Sequence, residues 1–176
     1  IHSLKPNRKL DKERQGQEQF APGHISKGFK SIGNLFAEKS VISEHLEQVI
    51  RHCVGNFVEQ HNNNQMRIFR DWPAEYVLDG WHIRLLNGGE ISAHVHQGWL
   101  SGVFYVQVPA EKKNNAGNIE FTLHGYDLPV IRDDFPSRVI TTKPGLLVLF
   151  PSSLPHRVFP FLDNQERSSI AFDIVP

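Results

Sequence analysis

Only one of the 176 residues is a cysteine. Cys53 alone excludes an internal disulfide and any multi-cysteine zinc cage. Net charge is also missing: 19 Lys and Arg balance 19 Asp and Glu when His is neutral. There is no basic field for nucleic acid and no polybasic membrane signal, so neither partner is expected. The longest wholly apolar run is 146–150, far below the roughly 20 residues a membrane helix needs. No repeat with a period of about 20 to 50 residues is visible. Nor is a charged-then-apolar leader, and a cytoplasmic location is expected. The chain opens on Ile1, not Met, which suggests a processed product or part of a longer protein.

What the chain does hold is a normal share of core-forming residues. Hydrophobic residues make up 39% and charged residues 22%, a balance that suits a globular core and not global disorder. The length suits one domain. Histidine is the outlier. Ten histidines are about twice an ordinary share and direct attention to metal or proton chemistry.

Two regions differ in texture. Residues 1–65 read as an N-terminal extension with one supporting helix, and the stretch 7–19 as a polar surface segment. The helix is expected over 41–60. Its apolar positions Ile42, Leu46, Val49, Ile50, Cys53, Val54, Phe57 and Val58 recur at three and four, Ser40 is a suitable N-cap, and Asn62–Asn64 close it. Cys53 then reads as a small core residue. Residues 66–176 carry short runs of Val, Ile, Phe, Tyr and Thr between turn residues. Strands are expected at 79–86, 93–96, 101–108, 118–123, 138–142, 146–150, 157–161 and 168–175. Eight short strands suggest an antiparallel barrel or two-sheet jelly roll, with the helix on one sheet face.

Three features carry chemistry. In His94-Val95-His96 the strand period of two would aim both imidazoles at one point, as a metal site needs. The bland alternative is a pair of surface histidines beside a turn. His156 follows the Pro-bounded turn 151–155, and a sheet folding back could bring it in as a third ligand. Arg167 and Ser169 share a face of the last strand; a guanidinium fork beside a hydroxyl suits a carboxylate. An ordinary surface arginine paired with Glu166 is the alternative there. Taken together, the order His-x-His, distant His, Arg-x-Ser is the layout of a non-haem iron site with a carboxylate cosubstrate.

These residues resemble the iron(II) and 2-oxoglutarate-dependent oxygenases, and most closely the bacterial members with a His-x-His motif. The text that carries the likeness is His94-Val95-His96, then 100–106 (LSGVFYV), 117–121 (GNIEF), 144–151 (PGLLVLFP), His156 and 167–172 (RSSIAF). The resemblance implies a mainly β, double-stranded β-helix fold of the jelly-roll, cupin-like kind. It implies iron(II), 2-oxoglutarate as cosubstrate and O2, with oxidative decarboxylation driving substrate hydroxylation. His94 and His156 would be metal ligands, Arg167 and Ser169 would hold the far carboxylate of 2-oxoglutarate, and Tyr105 would join them or else be a core aromatic.

His96 departs from the pattern, because an acid is usual there. It is either a third ligand, which its strand phase favours, or it stands aside for water or another acid, or catalysis is lost. Glu90 and Asp133 are the nearest acids by sequence. Three imidazole ligands must be unprotonated, so metal affinity is expected to fall below about pH 6. Trp81, His82 and Trp99 are candidates for the substrate mouth, 111–117 for a solvated hairpin tip, and 123–137 for a lid. The substrate, a small molecule or a protein side chain, is not written in the sequence, and neither is the oligomeric state. Three other classes remain: a three-His cupin-like enzyme without 2-oxoglutarate, a zinc- or nickel-binding protein, and a non-catalytic jelly-roll module. Arg167 with Ser169 separates the first from the favoured reading.

Overall fold

The last strand, β9 (Arg167–Val175), shows how the layers arise. Alternate side chains of a strand face opposite ways. Arg167, Ser169, Ala171 and Asp173 are buried on one face, and Ile170, Phe172 and Ile174 on the other. A strand buried on both faces needs cover on both. The computed structural model, which describes residues 18–20, 23–110, 113–123, 129, 131–132, 134–162 and 164–176, supplies it from two sources.

The outer cover is the helix α1 (Val41–Gln60). Ser40 caps it: the Ser43 amide donates to the Ser40 hydroxyl at 3.1 Å, and the Ser40 amide donates to the Ser43 hydroxyl at 2.9 Å. This reciprocal pair satisfies two amides at the helix start. Ile50 and Val54 pack with Leu78, Leu100, Ile170, Phe172 and Ile174. The expected stripe is wider than the real one. Ile42 is 82% exposed and Val49 41%, and Cys53 is only half-buried. The helix meets the sheet along a narrow line, so positions at the edge of an apolar stripe stay in water. A second short helix, α2 (Arg67–Arg70), follows; its Ile68 carbonyl accepts the Trp99 indole N–H at 2.9 Å.

The inner cover is the sheet itself, curled back on itself. The strands are β1 (Glu18–Phe20), β2 (Ile25–Ser31), β3 (Val77–His94), β4 (Leu100–Gln107), β5 (Ile119–Phe121), β6 (Arg138–Ile140), β7 (Leu147–Pro151), β8 (His156–Val158) and β9. All pairings are antiparallel, in the order β6-β5-β8-β3-β9-β4-β7, with β2 joining β1 and β3. Two strands expected at 79–86 and 93–96 are one bent strand, β3. Its first half pairs with β9 and its end with β8. The bend is at Gly88, whose φ of +76° suits glycine, and whose amide donates to the Phe161 carbonyl at 2.7 Å. Opposite it, β2 shifts register between Ser26 and Gly28. One strand thereby serves both halves of the curl. Between them lies a second core of Trp81, Ile83, Leu85, Ile91, Val103, Tyr105, Ile119, Phe150, Val158 and Phe161.

The fold is thus mainly β and cupin-like, with a helix on one sheet face. The strands β1 and β2 are an addition: residues before the helix join the sheet, in a region where the sequence shows no clear alternation.

Candidate metal centre

Alternation brings the site residues into one cavity of about 730 Å³. β9 presents Arg167, Ser169 and Asp173 to it. The adjacent strand β4 places Tyr105 directly opposite Ser169, and Ser101 opposite Asp173. The other neighbour, β3, ends on His94, whose register partner is His156 at the start of β8. His94, His96, His156, Arg167, Ser169 and Tyr105 all line the cavity.

The three histidines converge, with donor atoms within 4.8 Å of one another. Convergence of His94 and His96 does not come from strand phase, because β3 stops at His94. Beyond it the His96 amide donates to the Ser152 carbonyl at 2.9 Å, and this fixes the turn. The outer nitrogens settle the tautomers. Nδ1 of His94 faces the Ser92 carbonyl at 2.8 Å, and Nδ1 of His156 faces the Leu154 carbonyl at 3.1 Å. A carbonyl can only accept, so each Nδ1 carries the proton and each Nε2 is a bare lone pair. Nδ1 of His96 faces the Asp173 carboxylate at 2.9 and 3.2 Å, so it too carries the proton and Nε2 is the atom turned toward the other two rings. The Nε2 atoms of His94 and His96 lie 3.2 Å apart, close enough to share one cation. The donor set fits a divalent transition metal.

Burial lowers the His94 pKa to about 4 and that of His156 to about 3, with the neighbouring imidazoles adding to the effect. Both stay neutral through pH 6. The expected loss of metal affinity below about pH 6 therefore does not come from these two.

The far end of the cavity holds a buried cation. Arg167 is 1% exposed. Its Nε donates to the Gly117 carbonyl at 3.1 Å and its Nη1 to the Ser169 hydroxyl at 3.2 Å, and it lies 5.0 Å from the Tyr105 ring centre. No carboxylate among the described residues pairs with it, and burial lowers its pKa. Glu166 instead pairs with Arg84, which removes the surface-arginine alternative. The Tyr105 hydroxyl is buried beside the Arg167 guanidinium with no well-formed hydrogen bond; burial pushes its pKa up to about 12, against the pull of that cation. A buried guanidinium, a hydroxyl and a phenol in one pocket fit a carboxylate ligand.

Other expectations fall differently. Trp81 lines the cavity, between His96 and the Lys30 ammonium, which sits 4.0 Å above its ring. Trp99 is tied to α2, and His82 bonds to the Ser168 hydroxyl at 2.8 Å on the outer face. Glu90 is exposed, and Asp133 lies outside the described residues. The acid beside His96 is Asp173, which sequence reasoning missed, although it follows Arg167, Ser169 and Ala171 in phase. Of 111–117, Glu111 and Lys112 lie outside the described residues. Lys113, Asn114 and Asn115 are exposed, as a solvated tip would be, but the end of the loop turns inward: Ala116 is buried and Gly117 backs Arg167. The suggested lid, 123–137, lies partly outside the described residues, and its described members form no strand before Arg138. The polar segment 7–19 is described only at 18–19, within β1. Among the described residues no helix is long and apolar enough to cross a membrane.

Comparison with known proteins bears on this site. The family described as "Putative 2OG-Fe(II) oxygenase" matches residues 79–173, more than half of the chain and all six candidate residues. No curated protein sequence matches. Among solved structures, a prolyl-4-hydroxylase from Pseudomonas putida is similar at a TM-score of 0.63 and 14% identity, over 94% of this chain and 80% of that one. HygX from Streptomyces hygroscopicus, with nickel, 2-oxoglutarate and hygromycin B bound, is similar at 0.61 and 13% identity, over 96% and 77%. At these identities the likeness is one of fold.

Proposed function

Because the chain belongs to the 2OG-Fe(II) oxygenase family, we propose that it is an iron(II) and 2-oxoglutarate-dependent hydroxylase. The observation that carries the reading is Arg167: a fully buried guanidinium that no carboxylate among the described residues pairs with, in the cavity that also holds three converging imidazoles. A buried unpaired charge is costly, and proteins keep one where a ligand neutralises it.

His94, His96 and His156 would hold the iron through Nε2, leaving positions open for cosubstrate and O2. The bound metal would supply oxygen activation, coupled to decarboxylation of 2-oxoglutarate. Arg167 would bind and orient the distal carboxylate of 2-oxoglutarate through its fork, with Ser169 and the Tyr105 hydroxyl as further donors. Ile83, Val103, Ile119 and Phe150 wall the cavity and limit water around the reacting atoms. A three-His enzyme without 2-oxoglutarate, a plain metal binder or a non-catalytic module would each leave Arg167 without a role. The substrate is a small molecule or a protein side chain admitted past Trp81, and a cytoplasmic site of action suits ferrous iron.

The test is calorimetric titration of 2-oxoglutarate into the anaerobic, iron(II)-loaded protein, beside Arg167→Ala. Micromolar binding that the variant loses is the expected result. A folded, iron-loaded wild type that binds no 2-oxoglutarate overturns the reading.

A further inference from the structure

We propose that Asp173 is a positioning residue of the metal centre, holding His96 in its metal-facing tautomer and supplying the negative charge that position 96 lacks. This rests on the iron reading above. The three imidazoles are not supported alike. His94 and His156 lean on neutral backbone carbonyls, and only His96 leans on a carboxylate. That carboxylate is itself fixed. Asp173 is 9% exposed, and its Oδ1 accepts from the Ser101 hydroxyl at 2.6 Å. With its proton on Asp173, Ser101 accepts in turn from the Ser152 hydroxyl at 2.7 Å. Ser152 also takes the His96 amide on its carbonyl. Ring and backbone of His96 are therefore held by one connected network, and Trp81 stacks on the ring at 5.5 Å.

The charge matters as much as the grip. Three neutral imidazoles leave a divalent metal with its full charge, whereas two imidazoles and a carboxylate reduce it by one. A carboxylate behind one imidazole restores that reduction at one remove and makes Nε2 a stronger donor. The other charged groups near Asp173 are Lys30, over Trp81, and Asp79, its register partner on β3. The oxygen ligand usual at position 96 thus has a counterpart on the opposite strand, acting through the histidine.

The test uses Ni(II), which is redox-inert, titrated by calorimetry into the full chain. It is paired with 15N NMR of the histidine rings in metal-free protein. Asp173→Asn keeps an acceptor oxygen but loses the charge, and Asp173→Ala loses both. The expected results are about tenfold weaker Ni(II) binding for Asn and up to about 100-fold for Ala. The His96 ring should be Nδ1-protonated in the wild type and mixed in Asp173→Ala. Ser101→Ala, which loosens Asp173 without touching it, should weaken binding severalfold. Folded Asp173 variants with wild-type affinity and an unchanged His96 tautomer overturn the proposal. Failure of the wild type to bind Ni(II) any better than His94→Ala would instead overturn the metal reading. The metal-free tautomer would still decide whether Asp173 holds His96.

Discussion

Replacing Arg167 by Met should cost the metal-free protein little or no stability while removing its cosubstrate. Arg167 is 1% exposed and faces no carboxylate among the described residues. Burying an unpaired ion costs several kcal/mol even after relaxation. Against this stand two hydrogen bonds, to Gly117 and Ser169, worth about 1.5–3 kcal/mol each because the donor is charged. The Gly117 carbonyl also accepts from the Thr142 hydroxyl at 3.3 Å, so it is not orphaned by the change. Methionine fills much of the volume of the arginine stem without a charge. The change also leaves the buried Ser169 hydroxyl and the Tyr105 ring without their cation. The opposing effects nearly cancel, and the variant should stay within about 1 kcal/mol of wild type, roughly 2–4 °C in Tm for a chain of this size. With metal and 2-oxoglutarate at 100 times its Kd, the wild type should gain about 2.7 kcal/mol from the ligand. The variant, having lost a buried charge-charge contact worth about 2–5 kcal/mol, should gain almost nothing. The two proteins should therefore unfold close together when metal-free and separate, wild type higher, when fully loaded. Differential scanning calorimetry of both proteins in both states reads this directly. A metal-free variant less stable than wild type by more than about 1 kcal/mol would mean the guanidinium is already compensated. An intact 2-oxoglutarate shift would mean the anchor lies elsewhere.

Tyr105→Phe removes a buried hydroxyl that has no well-formed hydrogen bond, so the metal-free protein should stay within about 1 kcal/mol of wild type in urea unfolding while 2-oxoglutarate binds several-fold more weakly. Loss of more than about 1 kcal/mol would show the hydroxyl to be bonded. The pH dependence of metal-free stability follows from His94 and His156, whose folded pKa values of about 4 and 3 lie below the unfolded value of about 6.5. Below pH 6.5 the unfolded chain takes up two protons that the folded chain refuses. Stability should be full above that pH and fall at up to about 2.7 kcal/mol per unit toward pH 4. The slope should shrink in a His94→Asn, His156→Asn double variant, and an equally steep profile there would refute its assignment. On the helix, Ile50→Ala should cost about 2–5 kcal/mol and Ile42→Ser less than about 0.5, since Ile50 is fully buried and Ile42 is 82% exposed. Comparable losses at both positions in chemical denaturation would mean the outer edge of the helix is covered.

Period-two alternation made much of this protein legible without coordinates. It marked the strands of the curl and set Arg167 in phase with Ser169. Period three-and-four marked α1 and its Ser40 cap, because these signals depend only on neighbours along the chain. The order of His94, His96, His156 and Arg167 pointed to the chemistry for the same reason. Other features depend on what lies across space. Whether an apolar helix position is covered is decided by where the sheet ends, and so Ile42 and Val49 stay exposed. The contribution of β1 and β2 depends on the free edge that β3 offers, and a register shift with Lys27 at φ +50° hides their alternation. The convergence of His96 on His94 is set by a bond to Ser152, 56 residues away in the chain, and not by strand phase. The acid behind His96 is Asp173, separated by 77 positions and joined only because β9 runs beside β3 and β4. Local periodicity fixes which way a side chain faces, while the pairing of distant strands decides what it meets there.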